Sequence, residues 1–327
     1  FNPAKAGMCA AVSVGILIAL TLVNGAIVGS LMEDEEPSSV LVQRLDLKQP
    51  FVEYRVTEAA GPNPAPLLEG ETRLQRMQRT NTLRVGFLPK RPPFTYRNGD
   101  GKLVGFDIDL VQGLAAEFGA RIDFVPVPDE SQLAAGFKAD HFDMAVGGIR
   151  LGVHDFRERK QSRPYLETHA ALLVRDHAVK QFEHFSFYKP GQNVRVGYAP
   201  RTEIGSVARK RFPDLEFTKV PSVQAFLDGK VDAVDAMVMP AEVASYYTMI
   251  RPEFSLVIPK ETHMRVPFTI AIHPDSERGE RFLDAWLRLR RNDGTLDELY
   301  DHWILGKQFK KKQRRWSIVQ DVLGWID

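Results

Sequence analysis

Short apolar runs alternate with helical apolar periodicity along most of the chain, and this alternation occurs twice. Leu83 to Pro89 reads LRVGFLP and Val194 to Pro200 reads VRVGYAP, and each segment opens a region where strand signals and amphipathic stretches follow one another. Each region later reaches a similar strand, at His141 to Gly148 and at Lys230 to Met237. The repeated pattern predicts two α/β lobes with a cleft between them, where ligands usually bind.

One helix of the first lobe has an especially regular apolar stripe. A hairpin turn is predicted before it at Asn98 to Gly101, and Gly119 after it is a typical stop signal. The helix is predicted over 107–118, since its apolar residues recur three and four positions apart. These residues are Phe106, Leu110, Val111, Leu114, Ala115 and Phe118.

Helices are also predicted in the second lobe and near the end of the domain. In the second lobe they run from Thr202 to Phe212 and around Ala241 to Met249. Near the end of the domain, one helix is predicted from the apolar residues Phe282, Trp286 and Leu289. Thr295 with Glu298 predicts a capping box at the start of the next helix.

Two crossings between the lobes are expected to act as a hinge. The chain is predicted to leave the first lobe at Leu172 to His177 and to return near Val266 to His273. The whole binding domain is therefore predicted over 71–306, with the first lobe at about 71–174 and 268–306 and the second at about 175–267.

An uncharged apolar run precedes the α/β region. Met8 to Met32 has no charged side chain and is long enough to cross a hydrocarbon core of about 30 Å. We interpret residues 1–32 as a transmembrane anchor, with a cleaved signal peptide ending near Gly25 to Ser30 as the alternative. Lys5 before the run and acidic residues after it place the rest of the chain on the periplasmic side of the inner membrane.

Polar segments are predicted on both sides of the binding domain. Residues 33–70 are rich in proline and charge and are expected to form an extracytoplasmic linker, with 61–70 (GPNPAPLLEG) as a stiff, exposed spacer. Residues 307–327 combine basic side chains with Trp316 and aliphatic residues. They are interpreted as an amphipathic tail that rests on the membrane or on a partner domain, or as a docked terminal helix.

Composition argues against several classes of function. Lys plus Arg total 43 and Asp plus Glu total 42, so no global field favours nucleic acid. The single cysteine, Cys9, excludes an internal disulfide framework and a multi-cysteine metal site. The eight histidines form no H-E-x-x-H pair, and neither a G-x-S-x-G nor a Walker-type motif occurs. We therefore expect no metal, no cofactor and no catalytic residue.

Three segments, in this order, resemble the bacterial extracellular solute-binding proteins of family 3. They are 83–110 (LRVGFLPKRPPFTYRNGDGKLVGFDIDL), 142–149 (FDMAVGGI) with 162–175 (SRPYLETHAALLVR), and 292–306 (NDGTLDELYDHWILG). The resemblance covers about residues 71–306. It implies a two-lobed, periplasmic-binding-protein-like fold of type II that closes on a solute and presents it to a membrane transporter.

Within this family, three segments look most like the version fused behind cation:dicarboxylate symporter membrane domains. These segments are SRPYLE (162–167), PAEVASYYTMIRPEFSLVIPK (240–260) and DHWILG (301–306). On that resemblance, Met8 to Met32 is the last span of such a fusion, and the partner is a transporter domain upstream in the same polypeptide.

The resemblance also locates ligand-contact positions, and two of them lack the family's usual residues. Asp155 stands where the family usually has the arginine that binds a ligand α-carboxylate. Met237 stands where an acidic residue usually meets the ligand ammonium, with Asp235 two residues away on the same strand. An ordinary α-amino acid is therefore not the expected ligand.

Arginines occupy other contact positions of the same alignment. Arg150 follows Gly148 in the first lobe, Arg201 precedes the predicted helix that begins at Thr202, and Arg91 replaces a usual aromatic residue. A guanidinium matches a carboxylate, each charged hydrogen bond being worth roughly 1.5 to 3 kcal/mol, and a helix start adds amide donors for an anion. We predict a small organic dianion, such as a dicarboxylate, held between Arg150 and Arg201. Solvated surface arginines are the alternative.

Four further residues are weaker candidates for the site. Phe94 and Tyr96 are predicted to form an apolar wall, with ordinary core packing as the alternative. Asp235 and Glu242 are predicted to orient an arginine or to accept a ligand hydroxyl, although acids at a strand end and a helix start are common without such a role.

Two other functions stay open on the resemblance. Some similar proteins are dehydratases of cyclohexadienyl acids, a chemistry for which Glu242 or Asp155 would supply the acid. A ligand sensor that signals through the anchor is the third interpretation.

Overall fold

The computed structural model describes most of the α/β region predicted from the sequence. The described residues are 44–49, 51–152, 159–184, 194–199, 208–210, 212, 215–231, 234–260 and 264–306. The predicted anchor Met8 to Met32 and the predicted tail 307–327 lie outside them. Within these ranges, no helix combines the length and the apolar character that a bilayer crossing requires.

Strands and helices alternate along the described residues as the apolar pattern predicts. The strands are β1 (Tyr54–Val56), β2 (Thr82–Phe87), β3 (Tyr96–Arg97), β4 (Leu103–Val104), β5 (Arg121–Pro126), β6 (Met144–Arg150), β7 (Lys160–Gln161), β8 (Leu166–Arg175), β9 (Arg195–Tyr198), β10 (Glu216–Lys219), β11 (Ala236–Pro240), β12 (Phe254–Val257) and β13 (Arg265–Ile272). The helices are α1 (Arg73–Thr80), α2 (Phe106–Glu117), α3 (Leu133–Lys138), α4 (Val179–Phe182), α5 (Val223–Leu227), α6 (Ala241–Ile250), α7 (Glu277–Asn292) and α8 (Thr295–Trp303).

The first lobe is built on a sheet with a parallel centre. Its strand order is β1-β5-β2-β6-β13, in which β1, β5, β2 and β6 run parallel and β13 runs antiparallel to β6. The central strand β2 is almost entirely buried, as expected when helices cover both faces of a parallel sheet. The predicted hairpin forms as β3 and β4.

The second lobe repeats this arrangement on a smaller scale. Strands β9, β10 and β11 are parallel to one another, and β8 pairs antiparallel with β11 and β12. A separate group of buried side chains, including Val220, Phe226, Met237 and Phe254, packs within this lobe. The prediction of a two-lobed α/β fold is therefore confirmed.

Strands β8 and β13 connect the two sheets. Leu166 to His169 of β8 pair with Arg265 to Phe268 of β13, whereas Ala170 and the following residues of β8 pair in the second lobe. The outgoing crossing thus lies near 169–170, before the predicted 172–177. The apolar run of β8 is continuous across both sheets, so its sequence carries no signal for the crossing.

Residues 44–49 and 51–58 form a strap along the first lobe. Lys48 and Gln49 donate their backbone N–H groups to the carboxylate of Asp109, at 2.8 and 2.7 Å, and β1 extends the sheet beside β5. Downstream, Arg84 donates to the carbonyl oxygens of Gly61 and Pro62. This part of the predicted linker is therefore bound to the lobe through its backbone, which its polar composition does not indicate.

The predicted capping box at Thr295 and Glu298 is wrong. Gly294 is the cap of α8, and the N–H and hydroxyl of Thr295 bond instead to the carboxylate of Asp293. A complete capping box is present at the start of α1, where Thr72 and Gln75 bond to each other's backbone N–H groups.

The buried face of α7 also differs from the predicted one. Leu283, Trp286 and Leu287 are buried, whereas Leu289 is 57% exposed. The stripe is therefore offset from the predicted Phe282, Trp286 and Leu289, although Trp286 belongs to both sets.

Candidate ligand cleft

A cavity of about 590 Å³ lies between the two lobes. It is lined at the carboxyl ends of the parallel strands of both lobes, which is where open α/β sheets bind ligands. The first wall comes from the turn after β2, the residues that follow β5 and the end of β6. The second wall comes from Ala199 after β9, the end of β10, strand β11 and helix α6.

A tight turn after β2 forms part of the first wall. Arg91 and Thr95 bridge the turn, with the Arg91 N–H donating to the Thr95 carbonyl at 2.8 Å. Phe94 between them is only 2% exposed, and its ring packs against Phe268 of β13 with centroids 4.6 Å apart. The turn is thus fixed from behind, with Lys90 and Arg91 at the cavity.

The end of β6 forms the next part of this wall. Gly147, Gly148 and Arg150 line the cavity there, and Arg150 is half-buried. A side chain at Gly148 would place its Cβ 2.5 Å from the Phe94 ring, so this position tolerates little beyond glycine. The close packing brings the β6 backbone and the turn after β2 together at one surface.

The second wall is more apolar. Met237, Val238 and Met239 of β11 line the cavity, together with Val243 and Tyr247 of α6. Burial raises the pKa of Tyr247 to about 12, so this side chain keeps its hydroxyl proton at neutral pH. The wall therefore offers hydrophobic contact to a ligand and carries a hydroxyl at one side.

Cationic side chains dominate the charge around the cavity. Lys90, Arg91, Arg150 and Lys219 line it, and Asp129 is the carboxylate among the described lining residues. Asp129 accepts a hydrogen bond from the Ser131 N–H at 3.0 Å and so caps the short helix at 130–132. The described lining is therefore positively charged on balance.

A buried ion pair supports Arg91 at the edge of the cavity. The Arg91 guanidinium lies 3.9 Å from the Glu130 carboxylate, which also accepts a 3.0 Å hydrogen bond from Arg159. Because Arg159 is buried, it holds Glu130 in place. Glu130 in turn offsets part of the charge of Arg91.

The structure brings together five of the residues predicted for the site. Arg91, Phe94, Gly148, Arg150 and Met237 all line the cavity. Arg201, Thr202 and Asp155 lie outside the described residues, so the predicted clamp is described on the first lobe only.

Three predicted residues lie elsewhere. Asp235 precedes β11 at the opposite end of the strand, where its carboxylate accepts the Arg195 N–H at 2.9 Å. Tyr96 is buried against Tyr246 and Trp303, and Glu242 is buried against Tyr300. None of the three is among the described residues that line the cavity.

Glu242 has an unusual environment for a carboxyl group. It is 4% exposed, Oε1 accepts the Tyr300 hydroxyl at 3.2 Å, and no described group bonds to Oε2. Burial raises the pKa of Glu242 to about 7, although bonds from its own backbone and from Tyr300 act in the other direction. The group is therefore partly protonated at neutral pH.

Two cations of the cleft were not singled out from the sequence. Lys219 is the last residue of β10, and Lys90 is in the turn after β2 with a positive φ of 60°. Lys219 stands at the carboxyl end of a predicted strand, the end at which open α/β sheets bind ligands, and this position is a sequence signal for the cleft.

Comparisons with known proteins agree with the two-lobed fold. The profile of the bacterial extracellular solute-binding proteins, family 3, matches residues 83–306. Cyclohexadienyl dehydratase of Pseudomonas aeruginosa is 29% identical over 253 residues, which are 73% of this chain and 89% of that protein. ABC transporter arginine-binding protein 1 of Escherichia coli is 23% identical over 217 residues, 65% of this chain and 86% of that protein.

A solved structure extends the likeness to three dimensions. An ancestral cationic amino acid solute-binding protein superimposes with a TM-score of 0.61 at 26% identity, over 71% of this chain and 100% of that one. Relatives of known function are mostly amino-acid-binding proteins, with a dehydratase among them. Because the profile covers more than half of the sequence, this chain belongs to the bacterial extracellular solute-binding proteins, family 3, an extracytoplasmic family.

Proposed function

We propose that this chain is an extracytoplasmic binding domain that captures a small organic anion, such as a dicarboxylate, and delivers it to a membrane transporter. The observation that carries the proposal is the charge of the cleft. Lys90, Arg91 and Arg150 on one wall and Lys219 on the other line a cavity of about 590 Å³. A dianion with one carboxylate near each wall would be bound by both lobes.

The same charges disfavour a cationic amino acid. The ammonium group of such a ligand needs an acidic partner, and Asp129, the carboxylate of the described lining, already caps a helix. Like charges a few ångströms apart repel each other strongly where water is partly excluded. The charge of the cleft therefore suits an anion better than arginine, the ligand named for the Escherichia coli relative.

Calorimetric titration of the full chain with succinate tests this proposal. We expect Arg150→Ala and Lys219→Ala each to weaken succinate binding roughly 10- to 100-fold, since a charged hydrogen bond is worth about 1.5 to 3 kcal/mol. Arg121→Ala is the matched control, because Arg121 is exposed at the amino end of β5, away from the cleft. Tighter binding of arginine than of succinate, or unchanged affinity in both cleft variants, would contradict the proposal.

We also propose that Met8 to Met32 anchors the domain in the inner membrane, behind a cation:dicarboxylate symporter domain. The uncharged length of this run and the resemblance of three segments to such fusions support it. The full chain should remain in the membrane fraction after alkaline carbonate extraction, whereas a variant without residues 1–32 should not. Release of the full chain by carbonate would argue against an anchor.

A dehydratase acting on a cyclohexadienyl acid is the second proposed function. The 29% identity to cyclohexadienyl dehydratase favours it, and the cationic cleft suits the carboxylates of such a substrate. Appearance of an aromatic product in an absorbance assay, lost in Arg150→Ala, would make this function the better one. Binding of the acid without any turnover would favour the solute-binding role.

A further inference from the structure

The cleft end of β6 contains a bulge. Met144 and Ala145 pair with Ile272 and Ala271 of β13, and pairing resumes with Ile149 opposite Thr269. The three residues 146–148 therefore stand opposite Ile270 alone. Bulges of this kind bend a strand and change the direction of the side chains that follow, and the next side chain at the cavity is Arg150.

The bulge depends on two glycines in unusual conformations. Gly147 and Gly148 have φ values of 130° and 63°, in the region that favours glycine. Their N–H groups are thus turned away from the β13 ladder and need acceptors elsewhere in the interior.

A single buried carboxylate accepts both of these N–H groups. Oδ2 of Asp107 lies 2.8 Å from the nitrogen of Gly147 and 2.8 Å from that of Gly148, and Oδ1 accepts the Tyr165 hydroxyl at 2.6 Å. Asp107 is 0% exposed. Burial raises the pKa of Asp107 to about 6, although the bonds from Tyr165, Gly148 and Gly147 favour the ionised form.

Asp107 also connects the bulge to two other parts of the cleft. Its own N–H, at the start of α2, donates to the Phe94 carbonyl in the turn after β2 at 3.1 Å. Tyr165, whose ring stacks on Phe106, immediately precedes the hinge strand β8. One residue therefore contacts the turn, the bulge and the entry to the hinge.

We propose that Asp107 is a positioning residue of the ligand cleft, which holds the Gly147–Gly148 bulge so that Arg150 is directed at the solute. This inference rests on the proposed function in one respect, because it assumes that Arg150 contacts the ligand. It assigns a role to a side chain that does not itself line the cavity.

Asp109 provides a matched control on the same helix. It is also buried, and its carboxylate accepts bonds from Lys48, Gln49 and the Trp303 indole, all away from the bulge. Asp109→Asn removes a comparable buried charge, so it reports the loss of stability alone. A specific effect of Asp107 must exceed that of Asp109.

A double-mutant cycle on the full chain, titrated with succinate, separates positioning from mere stability. We expect Asp107→Ala to weaken binding at least tenfold and Asp107→Asn, which retains one acceptor oxygen, to restore most of it. In the Arg150→Ala background, Asp107→Ala should change affinity less than threefold. The proposal would be overturned if the losses of affinity caused by Asp107→Ala and Arg150→Ala simply multiplied in the double variant. It would also be overturned if Asp109→Asn lowered the affinity as much as Asp107→Ala does. Should the alanine variant not fold, the same cycle with Asp107→Leu, which fills the space but offers no acceptor oxygen, decides.

A measurement without ligand distinguishes failure of this proposal from failure of the proposed function. Gly148 is the only glycine in the chain that follows a glycine, so glycine labelled with ¹³C and ¹⁵N gives it a unique amide signal. That signal should titrate with a midpoint near pH 6 and shift downfield as Asp107 ionises. The titration should disappear in Asp107→Asn.

The other titratable groups near Gly148 are not expected to cause the titration of its amide signal near pH 6. Tyr165 faces Asp107 from the segment before β8, and burial raises its pKa well above the usual value, so it stays protonated. Asp109, whose pKa burial also raises, is tested by Asp109→Asn, which should leave the Gly148 titration unchanged. A Gly148 amide signal that has the same chemical shift in the wild-type chain and in Asp107→Asn overturns the proposal, because the bond to the Asp107 carboxylate should set that shift. A normal titration without succinate binding overturns the proposed ligand instead.

Discussion

Arg76 joins three segments of the first lobe through one side chain. It is 2% exposed, and its guanidinium donates to Asp140 and to Asp143, in each case at 2.6 Å, and to the Ala65 carbonyl at 3.3 Å. Burial disfavours the charge, but the bonds to the two carboxylates outweigh it and leave the pKa of Arg76 raised. The side chain is thus charged, buried and paired.

Removing this guanidinium leaves Asp140 and Asp143 with Arg73 as their remaining cationic partner among the described residues. We expect Arg76→Met to destabilise the domain by about 3 kcal/mol, the lower end of the range for breaking a buried ion pair from one side, because Arg73 still offsets part of the carboxylate charge. Urea denaturation measures the change. Arg79→Met on the same helix, which breaks an exposed pair with Glu71, should change stability little. Equal effects of the two substitutions would contradict this account.

Helices α6 and α8 bring the two lobes into contact outside the cleft. The Tyr300 hydroxyl of α8 donates to the carboxylate of Glu242 on α6 at 3.2 Å. The Ser245 hydroxyl of α6 donates to the carbonyl of Ile304, just after α8, at 3.3 Å. Because burial raises the pKa of Glu242 to about 7, ionising this carboxyl group in the folded state is unfavourable even though the Tyr300 bond remains available to it.

The free energy of unfolding should therefore fall as the pH rises from about 4.5 to about 7. The folded state holds a proton on Glu242 that an unfolded chain, with an ordinary pKa of about 4.5, releases earlier. The contribution is complete below about pH 4.5 and is lost as pH rises towards 7, with a total of roughly 3 kcal/mol. Between pH 5 and 8, the melting temperature should change less with pH for Glu242→Gln than for the wild-type chain. Glu298→Gln, at an exposed site on α8, should keep the wild-type slope.

Apolar spacing predicted the elements better than it predicted their polar contacts. The stripe of α2 was correct because burial of one helical face requires that spacing, and its six residues are all buried or nearly so. Asp107 and Asp109 interrupt no apolar pattern and look like exposed residues of a helix start. Their burial depends on the bulge, the strap and Trp303, which are distant in sequence.

The cleft was predictable to a similar extent. Arg91, Gly148, Arg150 and Met237 follow from the resemblance to the family and Phe94 from its place beside a proline turn, and all five line one cavity. Tyr96, from the same turn, and Glu242, from a predicted helix start, are also expected there, yet they face α6 and α8. Sequence position near a strand end does not show on which side of the turn a side chain packs.

At the scale of the whole molecule, strands β8 and β13 carry the connection between the lobes. A ligand bound by both walls stabilises the closed arrangement, because only differential affinity shifts such an equilibrium. Small-angle scattering of the full chain should therefore show a smaller radius of gyration with saturating succinate. The variant carrying Arg150→Ala and Lys219→Ala should show no change at the same concentration. Compaction in that variant would mean that other residues drive closure.

The strap formed by residues 44–49 and 51–58 has a mechanical consequence. Its backbone is bonded to Asp109 of α2 and its Lys48 side chain to Glu298 of α8, so any pull from upstream residues is borne by the first lobe. The second lobe is connected mainly through strands β8 and β13, so closure on a ligand under the proposed function would move the second lobe relative to the first. A transporter domain upstream, as proposed above, would then lie beside a first lobe that stays in place. It would detect a bound ligand from the position of the second lobe.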